Sequence, residues 1–216
     1  MWRKAWFENM EKYVITIGRG YGSGGRTIGK MLAEELGIHY YDKEILKLTS
    51  KVTGINEKLI KQADEQLKSG NIVKISNNVY RGEQYGGEDD LVSNTNLFNY
   101  QAKVLNELAD RESFVIIGRC ANYVLRDRKR VVRIFVYASM ENCIKKVSNV
   151  SSLDEGDIEN FIKTTDLNRA RYYKFNTGRD WSDARDYDLC FSTDNITYEQ
   201  AVVLIKNYLK LKGIIR

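Results

Sequence analysis

Five apolar runs recur along the chain, each followed by glycine or polar residues and then by a stretch with helical spacing. Val14-Ile15-Thr16-Ile17, Ile38-His39-Tyr40-Tyr41, Phe114-Val115-Ile116-Ile117, Val131–Tyr137 and Tyr187–Ser192 read as strands. Several of these runs are apolar without alternation, the mark of strands covered on both faces. Between them, Ile28, Met31, Leu32 and Leu36 fall on one helical face that stops at Gly37, a good C-terminal cap. Asp42 reads as the N-cap of a second helix. A third spans Asn56–Leu67 with Leu59, Ile60, Ala63 and Leu67 aligned, and a fourth carries Leu97, Gln101, Leu105 and Leu108. A short helix covers Cys120–Leu125, and Ser139 opens one with Met140, Cys143, Ile144 and Val147 on one side. Asp154–Tyr173 is a long polar helix, and Asn176–Arg185 reads as a loop. Thr197 and Gln200 form a capping box for a last helix that buries Ala201, Val202, Ile205 and Leu209. Strands alternating with helices predict an α/β fold: a three-layer, doubly wound, five-stranded parallel sheet. In such sheets ligands bind beyond the carboxyl ends of the strands.

The stretch after the first strand carries the chemistry. Gly18, Gly20, Gly22, Gly24 and Gly25 crowd into eight positions, and Gly20–Thr27 fits the phosphate-loop template G-x-x-x-x-G-K-[ST] with Arg26 in place of lysine. The glycines bring bare backbone amides and a helix N-terminus up to an anion. Arg26 supplies charge as a planar fork rather than a point. The Thr27 hydroxyl suits Mg²⁺. Gly20, Gly22, Ser23, Gly24, Gly25, Arg26 and Thr27 are therefore the expected ATP-binding residues. The amides around Ser23–Arg26 are expected to converge, with the guanidinium, on a polyphosphate tail; amides tied up by neighbouring protein groups, or a guanidinium swung outward into an ion pair, would collapse the enzyme reading.

The rim rule gathers other candidates. Arg119 closes the Phe114–Ile117 strand and reads as a substrate-phosphate ligand, or else as a helix cap or a partner for an acid. Arg169 and Arg171 lie two apart on a helix and so do not share a face; Arg169 is the one expected to reach the site. Asp42 reads either as the holder of a magnesium-bound water or substrate hydroxyl, or as a plain helix cap. Lys174 and Arg179 are weaker cationic candidates. Arg81 and Gln101 are candidates for reading a base or its phosphate. Trp181, Tyr172 and Tyr173 read as packing residues before stacking ones, and His39, the single histidine, as a strand residue rather than a base.

Composition narrows the class. The chain has 216 residues, 43% hydrophobic and 29% charged, with net charge +5, and is expected to form a single domain over residues 1–216. No lysine/arginine tract is interleaved with aromatics, and Arg126–Arg130 contains an acid, so nucleic acid is not an expected partner. No apolar run approaches a membrane span. Cys120, Cys143 and Cys190 lack metal or redox spacing and read as reduced thiols, which suggests a cytoplasmic protein. Trp2, Trp6 and Phe7 precede the first strand and read as an upstream extension or, alternatively, a segment docking on a partner. Residues 69–94, rich in Gly, Asn, Ser and acids, carry the weakest pattern. The sequence carries no signal for oligomeric state.

Four blocks in order, Gly18 to Leu46, Phe114–Leu125, Arg169–Gly178 and Asp186–Thr193, together resemble the cytidylate kinase-like proteins, relatives of the P-loop nucleoside monophosphate kinases. The resemblance covers roughly residues 13–210, and its most specific block is the glycine loop written with arginine. It implies a fold of P-loop kinase type, with a helical substrate-side insertion at about 50–110 and a lid at about 150–185. It also implies ATP and Mg²⁺ as cofactors and a small-molecule nucleotide, CMP or dCMP, as acceptor. Arg26, Arg119, Arg169 and Asp42 are then the catalytic candidates. Better-characterised cytidylate kinases carry an Asp before the Gly-Arg pair where this chain has Ile117, and a run of lid arginines where it has Lys145-Lys146. The expected activity is phosphoryl transfer to a nucleoside monophosphate. The alternatives are a regulatory nucleotide-binding protein with catalysis lost, or a kinase for another acceptor.

Overall fold

The computed structural model describes residues 11–68, 94–152 and 154–216. Arg81 and the aromatic N-terminal segment lie outside the described residues, as does the weakly patterned stretch at 69–93. Strands β1 (Val14–Arg19), β2 (His39–Tyr41), β3 (Phe114–Ile117), β4 (Val131–Tyr137) and β5 (Leu189–Ser192) form one parallel sheet in the order β2-β3-β1-β4-β5. Val14 pairs with both Phe114 and Val131, so β1 sits at the centre of the sheet.

The alternation of side chains along β1 and β3 divides the core. Ile15, Ile17, Val115 and Ile117 face α1 (Gly25–Leu36) and α8 (Tyr198–Leu211), packing on Ile28, Leu32, Ala201, Ile205 and Leu209. Val14, Phe114 and Ile116 face the opposite layer, where Ile45, Leu105, Ala121 and Leu125 come from α2 (Glu44–Thr53), α4 (Asn94–Arg111) and α5 (Ala121–Val124). Burying apolar side chains on both sheet faces is what the consecutive apolar runs require. Helix α3 (Glu57–Lys68) follows α2, α6 (Met140–Ser148) follows β4, and α7 (Glu155–Thr177) leads to a 3-10 turn at Ala184–Asp186.

Three expectations change. Helix α7 continues four residues past Tyr173, because Asn176 and Thr177 bond back to the carbonyls of Tyr172 and Tyr173 and Gly178 caps the end with φ 70°. Strand β5 starts at Leu189 rather than Tyr187: the preceding residues wind into the 3-10 turn, and the Tyr187 hydroxyl donates to the Trp181 carbonyl at 2.7 Å. Asp42 does not cap α2. Lys43 takes the N-cap position, and the Asp42 carboxylate turns to Arg26. The capping box at Thr197 and Gln200 forms as the sequence dictates.

Candidate active site

The glycine loop joins β1 to α1 at the centre of the sheet's carboxyl edge. The surrounding scaffold fixes it. The Gly20 amide donates to the Val136 carbonyl at 3.0 Å, the Ser23 hydroxyl to the Gly20 carbonyl at 2.9 Å, and the Thr193 hydroxyl to the Ser23 carbonyl at 2.8 Å. Gly24, with φ 82°, lies flat on the Tyr198 ring, where a Cβ would come within 2.6 Å of Cζ. Only glycine satisfies both the left-handed backbone and that approach. Among the described residues the amides of Gly24, Arg26 and Thr27 have no protein acceptor. They are the first amides of α1, which the helix itself leaves unpaired. Thr27 is exposed in the first turn.

Two features depart from the expected cradle. The guanidinium of Arg26 turns away from the loop and pairs with Asp42. It remains 60% exposed while the Asp42 carboxylate is 10% exposed. Burial opposes the Arg26 cation, but the hydrogen bond and charge of Asp42 outweigh it and raise its pKa. Beside the pair lies a shallow cleft of about 260 Å³ lined by Arg26, Thr27, Lys30, Tyr40 and Asp42. The second departure is at the loop mouth, where Asp166 of α7 accepts from the Tyr21 amide at 2.9 and 3.1 Å. Burial raises the pKa of this carboxyl, and Arg169 opposes the rise.

The remaining arginines approach from three directions. Arg169 donates to the Arg19 carbonyl at 3.1 Å and to Asp166 at 2.9 Å, and stacks 5.4 Å over the Tyr21 ring. Helix α7 therefore carries Arg169 to the loop, while Arg171 is exposed. Arg119 is not open at the rim: its side chain is only 10% exposed and is paired to Asp64 of α3. Burial works against its charge, but Asp64 prevails and raises the pKa. The turn that delivers Arg119 is left-handed at Gly118, Arg119 and Cys120, with φ 69°, 58° and 52°. Two consecutive non-glycine residues in that region carry backbone strain of about 1 kcal/mol each.

Other candidates lie elsewhere. Lys174 pairs with Asp180, and Arg179 pairs with Asp186 and stacks on Tyr123. Trp181 packs edge-on against Phe135, and the buried Tyr173 accepts from Asn122, so both are packing residues. His39 is exposed and faces Glu112. Gln101 is fully buried, and among the described residues neither end of its amide has a partner. The Tyr172 hydroxyl and Thr16 Oγ1 are likewise buried and unpaired.

Sequence reasoning missed Arg19, Asp64 and Asp166. Arg19 had a signal: it is the one charge in an otherwise uncharged strand, directly before the loop. Its side chain passes Gly25 and ends against Gly118. Burial, and then the neighbouring Arg169, lower its pKa to about 9. Asp64 and Asp166 sit in polar helical sequence with nothing local to single them out.

A glycine loop between the central strand and its helix, on a parallel sheet with arginines gathered at the loop mouth, defines a kinase-like P-loop fold. The chain belongs to the cytidylate kinase-like family, whose model matches residues 14–195. A crystal structure of an uncharacterized protein from Eubacterium ventriosum is similar, with 25% identity and TM-score 0.66 over 92% of this chain and 99% of that one. The fold is shared with shikimate kinase from Bacteroides thetaiotaomicron, at 15% identity and TM-score 0.52 over 92% of this chain and 98% of that one. Shikimate kinase from Acinetobacter baumannii, in complex with shikimate, matches at 17% identity and TM-score 0.50 over 98% and 99%. Curated proteins give no match. Among the described residues no helix is long and apolar enough to cross a membrane, and no cluster of three or more His, Cys, Asp or Glu is placed to hold a metal.

Proposed function

We propose that this chain transfers the γ-phosphoryl group of ATP to a nucleoside monophosphate of the CMP or dCMP kind. The observation that carries the reading is the set of unpaired amides at Gly24, Arg26 and Thr27, held open by a rigid loop with guanidinium groups around it. Phosphoryl transfer needs positioning and charge neutralisation more than covalent chemistry. The loop amides would hold the β-phosphate, Arg26 and Arg169 the transferring group, and Arg119 the acceptor. Thr27, exposed and first in its helix, suits a magnesium ion that otherwise takes phosphate oxygens and water. That ion supplies charge neutralisation when bound.

Arg26 must exchange Asp42 for phosphate on binding. The pair is largely solvent-exposed on the arginine side, and such pairs contribute about 0–1 kcal/mol. A polyphosphate at a helix N-terminus competes well with that. The test is turnover by purified protein with ATP and Mg²⁺ against CMP, dCMP, other nucleoside monophosphates and shikimate. Transfer to CMP or dCMP supports the reading. Transfer only to a compound without a phosphate replaces the acceptor, and no transfer to any member of the panel ends the kinase reading.

A second reading, nucleotide binding without turnover, draws on the outward Arg26 and on Asp166 occupying the Tyr21 amide. Calorimetry would then show ATP binding with no product, and Arg26→Ala would abolish binding alone.

A further inference from the structure

We infer that Arg19 is the anchor of a phosphate dianion bound between the end of β1 and the left-handed turn after β3. The inference uses the proposed function only to name which phosphate arrives there; binding of the anion stands apart from it.

The argument begins with pairing. Arg26 has Asp42, Arg119 has Asp64 and Arg169 has Asp166. Arg19 has no carboxylate within ion-pair reach among the described residues; Asp42, already paired to Arg26, favours its charge from a distance, while Arg169, Arg119 and Arg26 oppose it. It keeps only a small accessible surface. Four guanidiniums thus face three carboxylates. An enclosed cation among like charges is costly unless an anion joins it.

The turn is shaped around that cation. A Cβ on Gly118 would collide with Arg19 Nη1, so the glycine leaves the fork its place. Gly25 in turn abuts the Arg19 Cβ, at 2.7 Å from where its own Cβ would stand. The side chain is therefore threaded from the loop helix to the β3 turn, and its position follows from two glycines in separate motifs. Ile117, directly before Gly118, brings no charge of its own to that turn, where Gly118 lies against the Arg19 cation. The strained Arg119 at the same turn is held by Asp64 and stays beside Arg19. A guanidinium fork bonds two oxygens of one phosphate in parallel, which fits an end-on phosphate dianion.

The anion has two sources, the γ-phosphate of the donor or the phosphate of the acceptor. Full-length wild-type, Arg19→Met and Arg19→Lys proteins are titrated with inorganic phosphate, ATP and CMP, by calorimetry and by melting. The expected result has two parts. Arg19→Met melts at or above the wild-type temperature without ligand, because an uncompensated charge is gone. It loses at least tenfold in affinity for inorganic phosphate and for one of the nucleotides, with Arg19→Lys between. Loss confined to CMP places the acceptor phosphate on Arg19, and loss confined to ATP places the γ-phosphate there; either supports the inference. Unchanged phosphate affinity in Arg19→Met overturns it, and so does a lower melting point with intact binding. Wild-type protein that turns over while Arg19→Met does so equally well refutes the inference and leaves the kinase reading intact. Phosphate binding through Arg19 without turnover of any acceptor does the reverse.

Discussion

The ion pair between Arg119 and Asp64 ties the turn after β3 to α3, and its strength can be worked from its burial. The side chains are 10% and 5% exposed, so neither charge recovers much water if the other is removed. Truncating one partner of such a pair costs about 3–5 kcal/mol, chiefly because the survivor stays buried without a counter-charge. In a chain of this size 1 kcal/mol moves the melting temperature by about 2–4 °C. Asp64→Ala is therefore expected to lower it by about 6–20 °C, a figure that includes the other contacts Asp64 makes.

The double variant Asp64→Leu with Arg119→Met replaces the pair by apolar groups of similar bulk. It is expected to recover most of the loss, since apolar replacement of a buried pair is often neutral. Circular dichroism melts of the two singles and the double close a thermodynamic cycle, with an expected coupling of about 2 kcal/mol or more. A drop below about 2 °C for Asp64→Ala, or a double variant as unstable as the sum of the singles, would refute the claim that the pair holds the turn. Phosphate then separates fold from function. At a hundredfold excess over its dissociation constant a ligand stabilises by about 2.7 kcal/mol, and the double variant should lose that protection if Arg119 touches the anion.

Four shorter predictions concern neighbouring groups. Gly24→Ala should cost about 2–4 kcal/mol, from its left-handed backbone and from the 2.6 Å approach to Tyr198 Cζ, and a Tyr198→Ala background should return only the steric part; full recovery in that background would show that the backbone angle carries no cost. Asp42→Asn should change stability by less than about 1 kcal/mol while tightening ATP severalfold, because Arg26 is released to the loop; weaker ATP binding in calorimetry would make Asp42 part of the ligand site. Gln101→Met should stabilise the ligand-free protein by about 1–2 kcal/mol, since both ends of that buried amide lack partners; a fall in melting temperature would mean the amide is satisfied after all. Arg19 gives a pH dependence with a definite sign. Its folded-state pKa of about 9 lies well below the ordinary unfolded value, so unfolding takes up a proton above about pH 9 and stability rises with pH through that window, by up to about 1.4 kcal/mol per unit. Denaturant midpoints of wild type minus Arg19→Met from pH 8 to 10.5 should show that rise, and a flat difference would mean the guanidinium is solvated.

What the sequence disclosed follows from how local each signal is. Strands β1, β3 and β4 announce themselves because a strand buried on both faces needs consecutive apolar residues. The loop is legible because its backbone geometry admits only glycine at Gly24, and geometry of that kind is written in one residue. The capping box at Thr197 is a four-residue interaction and so is fully contained in the string. Asp64 and Asp166 are the opposite case. Their roles exist only because α3 and α7 fold back over the sheet edge and meet residues 55 and 145 positions away. Asp42 was legible as a charge at the rim but not as the partner of Arg26, because a helix cap and an ion pair ask for the same residue at the same place.

The substitution of arginine for lysine in the loop draws these observations together. A lysine ammonium is a compact point charge that can curl back over its own loop toward phosphate. The guanidinium is wider and planar, and here it reaches outward to the carboxylate of Asp42. The mouth of the loop is then left without the Arg26 cation, and two others border it: Arg19 from the strand before the loop and Arg169 from α7. Asp166, beside Arg169, touches the Tyr21 amide in the ligand-free protein, where it partly offsets this positive charge. An incoming phosphate would meet amide, Arg19 and Arg169 together and would displace a carboxylate whose pKa burial has already raised. That exchange of one anion for another keeps Arg169 compensated at either stage, while Arg19 gains its counter-charge only when phosphate arrives. It ties the arginine in the loop to the acid on α7 as parts of one electrostatic arrangement, so variants of Arg26 and Asp166 should couple in ATP affinity rather than add.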